Sequence, residues 1–224
     1  MITYYRLCGI PSTNPSPIFQ EDKFRLNKLC LKSFVKAFEK VNPEMVFIAD
    51  FCGQEYEELV KEVVPFKYFY LATNIGINET CLLQYEMASK QDDDVLFQEC
   101  DYLYLPDTGE KFVEAIKEFG LVSPYDHPDF YTRYDIHPKE VELKLFNNHH
   151  YRVSRRNTMT FGMTKEVFEN QKERLKKYGY LDHWVWIEMA THGNYLHTPI
   201  PSFATHMAKD YLAPAIDWSK YYGV

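Results

Sequence analysis

The sequence lacks the cysteine patterns that hold small domains together. Its five cysteines are spread along 224 residues, with no C-x-x-C pair and no His-rich partner segment. Such spacing argues against both a structural zinc site and a disulfide framework. We therefore expect reduced thiols at Cys8, Cys30, Cys52, Cys81 and Cys100.

The chain also lacks an excess of positive charge, since 25 Lys and Arg stand against 32 Asp and Glu, for a net charge of -7. Proteins that bind nucleic acid neutralise phosphates with clustered basic residues. The densest basic cluster here is Arg152, Arg155 and Arg156, which is too small for a duplex. This cluster is either a solvated loop or a contact for one anionic substrate, and we expect no nucleic-acid partner.

Long apolar runs are absent as well. No run approaches the roughly 20 residues that cross a bilayer, and residues 1–6 lack the apolar core of a signal peptide. We expect a cytoplasmic chain without a transmembrane segment, in contact with a membrane at its periphery at most.

Aromatic and apolar residues are plentiful, at 17% and 46%, and they follow a regular alternation in the first half. Short apolar runs predict strands at 2–7, 45–49, 68–72 and 95–97, and helical spacing predicts amphipathic helices between them. This alternation predicts one α/β domain with a mostly parallel central sheet flanked by helices.

The second half is predicted to be irregular and rich in aromatic residues. A returning strand is expected at 158–162, followed by helices at 165–178 and 180–192 and an extended segment at 195–212. Aromatic loops of this kind, which include Tyr125 and His127, suit the faces of sugars, but well-packed loops in general also have this composition.

Polar side chains follow the predicted strands of the first half. In open α/β sheets ligands bind outside the carboxyl ends of the strands, so Asp50, Asn74, Glu99 and Asp101 should converge there. Glu99 and Asp101 are one residue apart and point to the same side of a strand, where both can approach one hard cation. Mg²⁺ or Mn²⁺ held in this way completes its shell with water and phosphates, which favours a nucleoside diphosphate as the ligand. The alternative is two solvated acids.

Two further side chains have open roles. Asp182 stands where a helix begins, so it is either a plain N-cap or a general base, a role that His183 or Glu188 could also fill. His206 lies on the extended C-terminal segment, either as a structural histidine or as a ligand of the metal or diphosphate.

The order of these features resembles the GT-A glycosyltransferases, specifically the family 2-like group, from Ile2 to about His206. The resemblance is carried by a strand and helix before Asp50, then Asn74-x-Gly76, Glu99-x-Asp101, and Leu181-Asp182-x-Trp184 ahead of a helix ended by Gly193. It implies a GT-A-like (Rossmann-like) domain over 1–224, with a nucleotide-sugar-binding half at 1–105 and an acceptor-binding half at 106–224.

The resemblance also implies an activity: metal-dependent transfer of a sugar from a nucleoside diphosphate sugar, with UDP favoured, to a carbohydrate or glycoconjugate hydroxyl, with inversion. The cofactor would be Mn²⁺ or Mg²⁺. Two positions depart from the family pattern, since Glu99 replaces the commoner Asp and Leu181 stands where many members carry Glu. A Gln-x-x-Arg-Trp motif is missing, which speaks against a processive polysaccharide synthase.

The roles carried over fall into three groups. The nucleotide side comprises Arg6, Asp50, Asn74, Glu99 and Asp101, where Asp50 would contact the base and Glu99 the ribose or the metal. The metal ligands would be Asp101, Glu99 and His206. The acceptor side comprises the catalytic base Asp182 and the binding residues Tyr125, His127, Arg155 and Trp184.

Two rival functions remain open. A nucleotidyltransferase shares the sheet and the metal carboxylates, but its usual Gly-rich phosphate loop with a following Lys or Arg is not evident at 9–12. A non-catalytic carbohydrate-binding or assembly protein would use the aromatic second half as its platform.

Overall fold

The computed structural model describes residues 1–133 and 141–223, and for Asp182 and His183 it describes the backbone alone. The strands are β1 Ile2–Cys8, β2 Glu44–Asp50, β3 Tyr68–Thr73, β4 Val95–Glu99, β5 Tyr102–Tyr104, β6 Leu121–Val122, β7 Leu143–Phe146, β8 His149–Ser154, β9 Phe161–Met163, β10 Leu196–Ile200 and β11 Ala204–His206. The helices are α1 Lys23–Phe38, α2 Gln54–Val63, α3 Ile77–Ala88, α4 Gly109–Phe119, α5 Asp129–Thr132, α6 Lys165–Tyr178 and α7 Asp182–Thr191, followed by a 3₁₀ turn at Trp218–Tyr221.

Nine of the described strands form one sheet, in the order β3-β2-β1-β4-β9-β6-β10-β8-β7. The strands β3, β2, β1 and β4 pair in parallel, while β9 and β8 run against both of their neighbours. Seven of these nine strands therefore point the same way, which confirms the prediction of a mostly parallel sheet.

The central strand β1 is buried on both faces. Tyr4 packs with the cluster of α3, α6 and α7, and Tyr5 packs with the cluster of α1, α2 and α4. Because successive side chains of a strand point to opposite faces, each of these two tyrosines joins a different core. The predicted arrangement of helices on both faces is confirmed.

A second, two-stranded sheet extends from the end of β4. Strand β5 pairs antiparallel with β11, and this register sets His206 opposite Tyr102. Because Asp101 directly precedes Tyr102, the pairing brings the C-terminal segment to the end of β4.

The region around His149 is more regular than the sequence suggested. His149 belongs to the hairpin of β7 and β8, in which Phe146 pairs with His149 across a two-residue turn. The turn residues Asn147 and Asn148 both have positive φ, at 46° and 61°. Asparagine tolerates this left-handed conformation, which two-residue hairpins favour.

The two helices predicted near the C-terminus are present with small changes of boundary. α6 has the predicted bounds, and α7 begins at Asp182 rather than Tyr180. Among the helices described, none combines the length and apolarity needed to cross a bilayer.

Candidate active site

The carboxyl ends of β1 to β4 meet at one edge of the sheet, which we call the carboxyl edge. The register pairs Arg6 with Glu99 and Cys8 with Asp50, and Asn74 follows β3 directly. The predicted convergence of polar residues at this edge is therefore observed.

Asp50 is 4% exposed and points into the loop that leads to α3. Its carboxylate accepts hydrogen bonds from the Thr73 hydroxyl at 3.0 Å, the Ile75 N–H at 2.9 Å and the Gly76 N–H at 3.1 Å. Gly76 has φ of 97°, which glycine adopts without strain. The observed contacts of Asp50 fix the loop that presents the exposed Asn74, and its contact with a nucleobase stays a prediction.

Replacing Asp50 with alanine should loosen this loop. We expect the free energy of unfolding to fall by about 2 kcal/mol, because several donors lose a charged acceptor. Nucleotide affinity should fall with it. Urea denaturation and nucleotide titration measure the two effects, and Thr73→Val, which removes one donor, should lose about 1 kcal/mol. Unchanged stability in the Asp50 variant would contradict this role.

Arg6 is 8% exposed and forms an ion pair with Glu99. Its Nη2 lies 2.8 Å from Glu99 Oε1, and its Nη1 donates to the carbonyl of Ile77 at 3.2 Å. Arg6 therefore ties β1 and β4 to the start of α3. Glu99 keeps a side chain 24% exposed, so it can contact a ligand from its open side.

Asp101 lies between Lys23 and His206. Its Oδ2 is 3.2 Å from Lys23 Nζ and 3.6 Å from His206 Nε2. Burial raises the pKa of Asp101, but the charges of Lys23 and His206 outweigh burial and hold that pKa below its ordinary value. Burial lowers the pKa of His206, and Asp101 more than compensates, so the pKa of His206 is raised.

The ring of His206 is held by two tyrosines. Tyr102 stacks on it at 5.1 Å with an interplanar angle of 4°, and Tyr211 stacks on it at 5.8 Å and 3°. The Tyr102 hydroxyl is hydrogen bonded to that of Thr158. The His206 Nδ1 atom is buried without a hydrogen-bond partner among the described residues. The stack therefore aims the Nε2 edge at Asp101.

Asp101 and His206 offer two ligands to a metal ion, one third of an octahedral shell. Adjacent ligands of an octahedral ion at about 2.1 Å are about 3.0 Å apart, so the 3.6 Å seen here would shorten slightly when an ion binds. Within the described residues, no group of three or more His, Cys, Asp or Glu side chains could hold a metal. Mg²⁺ sites need one or two carboxylates and leave the other positions to water and phosphates, so two protein ligands suffice. Glu99 is bound by Arg6, and its place among the ligands stays a prediction.

The acceptor-side residues lie in two different places. Tyr125 is buried, with its hydroxyl 2.6 Å from the carbonyl of Tyr211, and His127 lies 5.4 Å from the Tyr125 ring. Both therefore adjoin the stack around His206. Arg155 is exposed and lies 5.5 Å from the ring of Tyr195.

Arg155 directly follows Ser154, which pairs with Leu196 at the start of β10. Because β10 runs in the same direction as β1, this start lies at the opposite edge of the sheet. The structure therefore does not bring Arg155 to the carboxyl edge, and its acceptor role stays a prediction. Trp184 is 60% exposed on α7, and the side chain of Asp182 lies outside the described residues.

Several residues at the carboxyl edge were not predicted. Lys23 is the first residue of α1, placed there by the N-cap Asp22, whose side chain accepts from the Arg25 N–H at 3.0 Å. The sequence held a signal for this helix start, since Asp22, an acid that can cap a helix, directly precedes Lys23. Tyr102 and Tyr211 had no comparable signal.

Exposed apolar side chains also gather at the carboxyl edge. They follow β1, β2 and β3 and are between 44% and 68% exposed: Ile10, Phe51, Ile75 and Ile77. Phe51 has φ of 52°, an uncommon conformation for a bulky residue. Grouped exposed apolar residues often mark a binding surface.

Neither a protein-family model nor a curated protein matches the chain. Solved structures do match it. The inositol-1-phosphate CTP transferase from T. maritima has a TM-score of 0.54 and 13% identity over 98% of this chain and 93% of that one. The nucleoside-diphosphate-sugar pyrophosphorylase from Vibrio cholerae RC9 has a TM-score of 0.51 and 13% identity, covering 88% and 91%.

A third match is the 4-diphosphocytidyl-2C-methyl-D-erythritol synthase from Anaerococcus prevotii DSM 20548, with a TM-score of 0.50, 8% identity and coverage of 88% and 86%. Similarity at such identity establishes a shared fold. The chain has the GT-A-like α/β fold of these nucleotide-handling enzymes, as the sequence predicted, and the family 2-like group is not singled out.

Proposed function

We propose that the chain is a metal-dependent glycosyltransferase that moves a sugar from a nucleoside diphosphate sugar, with UDP favoured, to an acceptor hydroxyl. The observation that carries the proposal is the pair of Asp101 and His206 at the carboxyl edge, 3.6 Å apart, with side chains 18% and 22% exposed. The neighbouring apolar residues, Phe51 among them, offer a surface for a flat base.

Asp101 and His206 would hold Mn²⁺ or Mg²⁺, with Glu99 beside them. The ion, when bound, would neutralise the charge on the departing diphosphate. The protein itself positions the donor: Arg6 and Asp50 fix the loops that face it, through the hydrogen bonds to Ile77 and Gly76.

The acceptor half supplies the base. By resemblance Asp182 accepts the proton of the attacking hydroxyl, and attack in line with the leaving diphosphate inverts the anomeric carbon. The structure has Asp182 as the first residue of α7. The exposed ring of Trp184, two residues further on, suits the face of a carbohydrate or glycoconjugate acceptor.

Nucleotidyl transfer is the second candidate, favoured by the names of the three similar structures. Such chemistry calls for backbone N–H groups that cradle phosphates. In the loop after β1, Pro11, Pro15 and Pro17 have no N–H, and the Gly9 N–H donates to the carbonyl of Asp50 at 3.0 Å. A Cβ at Gly9 would lie 2.1 Å from the carbonyl oxygen of Phe51, so this glycine serves loop packing. These features count against a phosphate cradle of backbone N–H groups in this loop.

One set of assays separates the candidates. UDP-, GDP- and dTDP-sugars are tested for thermal stabilisation and for nucleoside diphosphate release, with and without Mn²⁺, beside nucleoside triphosphates with sugar 1-phosphates. A ligand at 100 times its Kd should stabilise the folded chain by about 2.7 kcal/mol. We expect one nucleotide to act, and only with metal. Pyrophosphate release from a triphosphate would establish nucleotidyl transfer instead, and binding of carbohydrate without any turnover would establish the non-catalytic alternative.

Replacing Asp182 with asparagine should lower kcat about 100-fold, because a general base contributes at least this factor, and donor affinity should stay the same. Steady-state kinetics and donor titration measure both. Glu188→Gln is the matched control on α7, since Glu188 already faces Arg174 at 3.8 Å and should not act as the base. Weaker donor binding at unchanged turnover would give Asp182 a binding role instead.

A further inference from the structure

Lys23 occupies an unfavourable position for a cation. It is the first residue of α1, where the positive end of the helix dipole disfavours a cation. It is also only 8% exposed, and burial disfavours an unpaired charge. What stabilises it is Asp101, whose Oδ2 lies 3.2 Å from Nζ. The N-cap Asp22 fixes where α1 begins, so the backbone holds Lys23 at this point.

The oxygen that binds Lys23 is also the one that faces His206. Asp101 Oδ2 is 3.2 Å from Lys23 Nζ and 3.6 Å from His206 Nε2, so an ion held by Asp101 and His206 would lie against the ammonium group. Two cations at such a distance repel each other strongly. Metal binding at this oxygen therefore requires Lys23 Nζ to move away.

Apart from His206, whose charge depends on its protonation, the charges of the cluster are balanced before any metal binds. Two carboxylates, Glu99 and Asp101, face two permanent cations, Arg6 and Lys23. A divalent ion added alone leaves a surplus of positive charge, which the diphosphate of a donor would cancel. The flexible four-carbon stem of lysine allows Nζ to follow a phosphate oxygen over several ångströms.

We infer that Lys23 is a resident cation of the metal site, which neutralises Asp101 in the empty enzyme and transfers to the donor diphosphate when metal and nucleotide bind together. The inference rests on the proposed function and adds to it a role for Lys23 and a coupling between two ligands. The metal binds weakly alone and tightly with the nucleotide. Lys23 is a positioning residue, and its removal should change the two affinities in opposite directions.

The test uses the full chain with Lys23→Met, which keeps the length of the stem and removes the charge. Mn²⁺ affinity is measured without nucleotide, by the electron paramagnetic resonance signal of free Mn²⁺, and UDP affinity is measured by calorimetry at saturating Mn²⁺. We expect Mn²⁺ to bind about tenfold more tightly and UDP about tenfold more weakly, within the usual range of coupling between sites. Lys23→Gln should show the same two changes, should the methionine variant not fold.

Lys28→Met is the matched control. Lys28 lies on the same helix, 3.6 Å from Glu62, and its loss removes the same charge away from the carboxyl edge, so both affinities should stay at the wild-type values. Asp101→Asn reports on the metal site itself and should weaken Mn²⁺ binding.

The outcomes separate the inference from the proposed function. If Asp101→Asn weakens Mn²⁺ binding but Lys23→Met leaves it unchanged or weaker, the inference is wrong and the proposed metal site still holds. Tighter Mn²⁺ with unchanged UDP affinity overturns the transfer of Lys23 to the diphosphate. Wild-type chain that binds no Mn²⁺, with or without UDP, overturns the proposed metal dependence and the inference with it.

Discussion

Replacing Asp101 with asparagine is expected to lower kcat/KM for sugar transfer by about 10³-fold. Loss of one preorganised electrostatic group from an active site lowers the rate by up to about this factor. The change removes the carboxylate that faces both Lys23 and His206, and the metal loses an anionic ligand. Asparagine preserves the shape of the side chain, so packing against Tyr102 and the end of β4 stays in place. The loss should therefore fall on transfer and on metal affinity together.

The measurement pairs initial rates over a range of Mn²⁺ concentrations with the free energy of unfolding. Asp92→Asn is the control, because Asp92 is an exposed acid before β4, at the opposite edge of the sheet, and its loss should leave the rate unchanged. A fully active Asp101 variant with the same metal requirement would remove Asp101 from the metal site.

The first half of the fold followed from the sequence because its strands are short apolar runs that end in polar residues. In parallel strands the carboxyl ends share an edge, so the positions of Asp50 and Glu99 in the chain predicted their convergence. The mostly parallel sheet and its flanking helices needed no further information.

Helices α6 and α7 of the second half were predicted, but several of its strands were not, because they are short and pair over long distances. β5 and β11 have three residues each, too few to show a periodicity, yet their pairing brings His206 to Asp101. The hairpin of β7 and β8 was missed although Asn147 and Asn148 form a turn typical of two-residue hairpins. Helix α4 was not predicted either.

The acids of the candidate site, Arg6 and His206 were predicted, but Lys23 and the pairing of the charges were not. Arg6 was expected at the nucleotide, whereas its observed partner is Glu99. Lys23 lies at the end of a proline-rich loop whose path the sequence does not reveal. Which carboxylate pairs with which cation depends on that path, so charge pairing at the site became visible only in three dimensions.

Arg152 had two sequence interpretations, a solvated loop and a contact for an anionic substrate, and the structure supports a third role. Its Nε lies 2.8 Å from Asp126 Oδ1, and both side chains are buried. The guanidinium lies over the rings of Phe130 and Tyr131, at 4.9 and 4.7 Å. Asp126 also accepts from the Thr198 hydroxyl at 2.9 Å. This buried pair joins β8, β10 and α5.

Replacing Asp126 with alanine is expected to lower the free energy of unfolding by about 3–5 kcal/mol, because Arg152 keeps a buried charge without its partner. Urea denaturation measures the loss. The double variant Asp126→Leu with Arg152→Met should lose clearly less, since it removes both charges and leaves apolar groups of similar volume. A loss below about 1 kcal/mol in the single variant would show that water reaches the pair and screens it.

The same experiment bears on the acceptor half. Asp126 follows Tyr125 directly, and Tyr125 packs at 5.6 Å against Tyr102 of the stack that orients His206. The Asp126→Ala variant, where it is still folded at the assay temperature, should retain metal binding if Tyr102 orients His206 without help from the buried pair. Weaker Mn²⁺ binding in that variant would mean that the buried pair helps to orient His206, and would connect the packing of the second half to the chemistry at the end of β4.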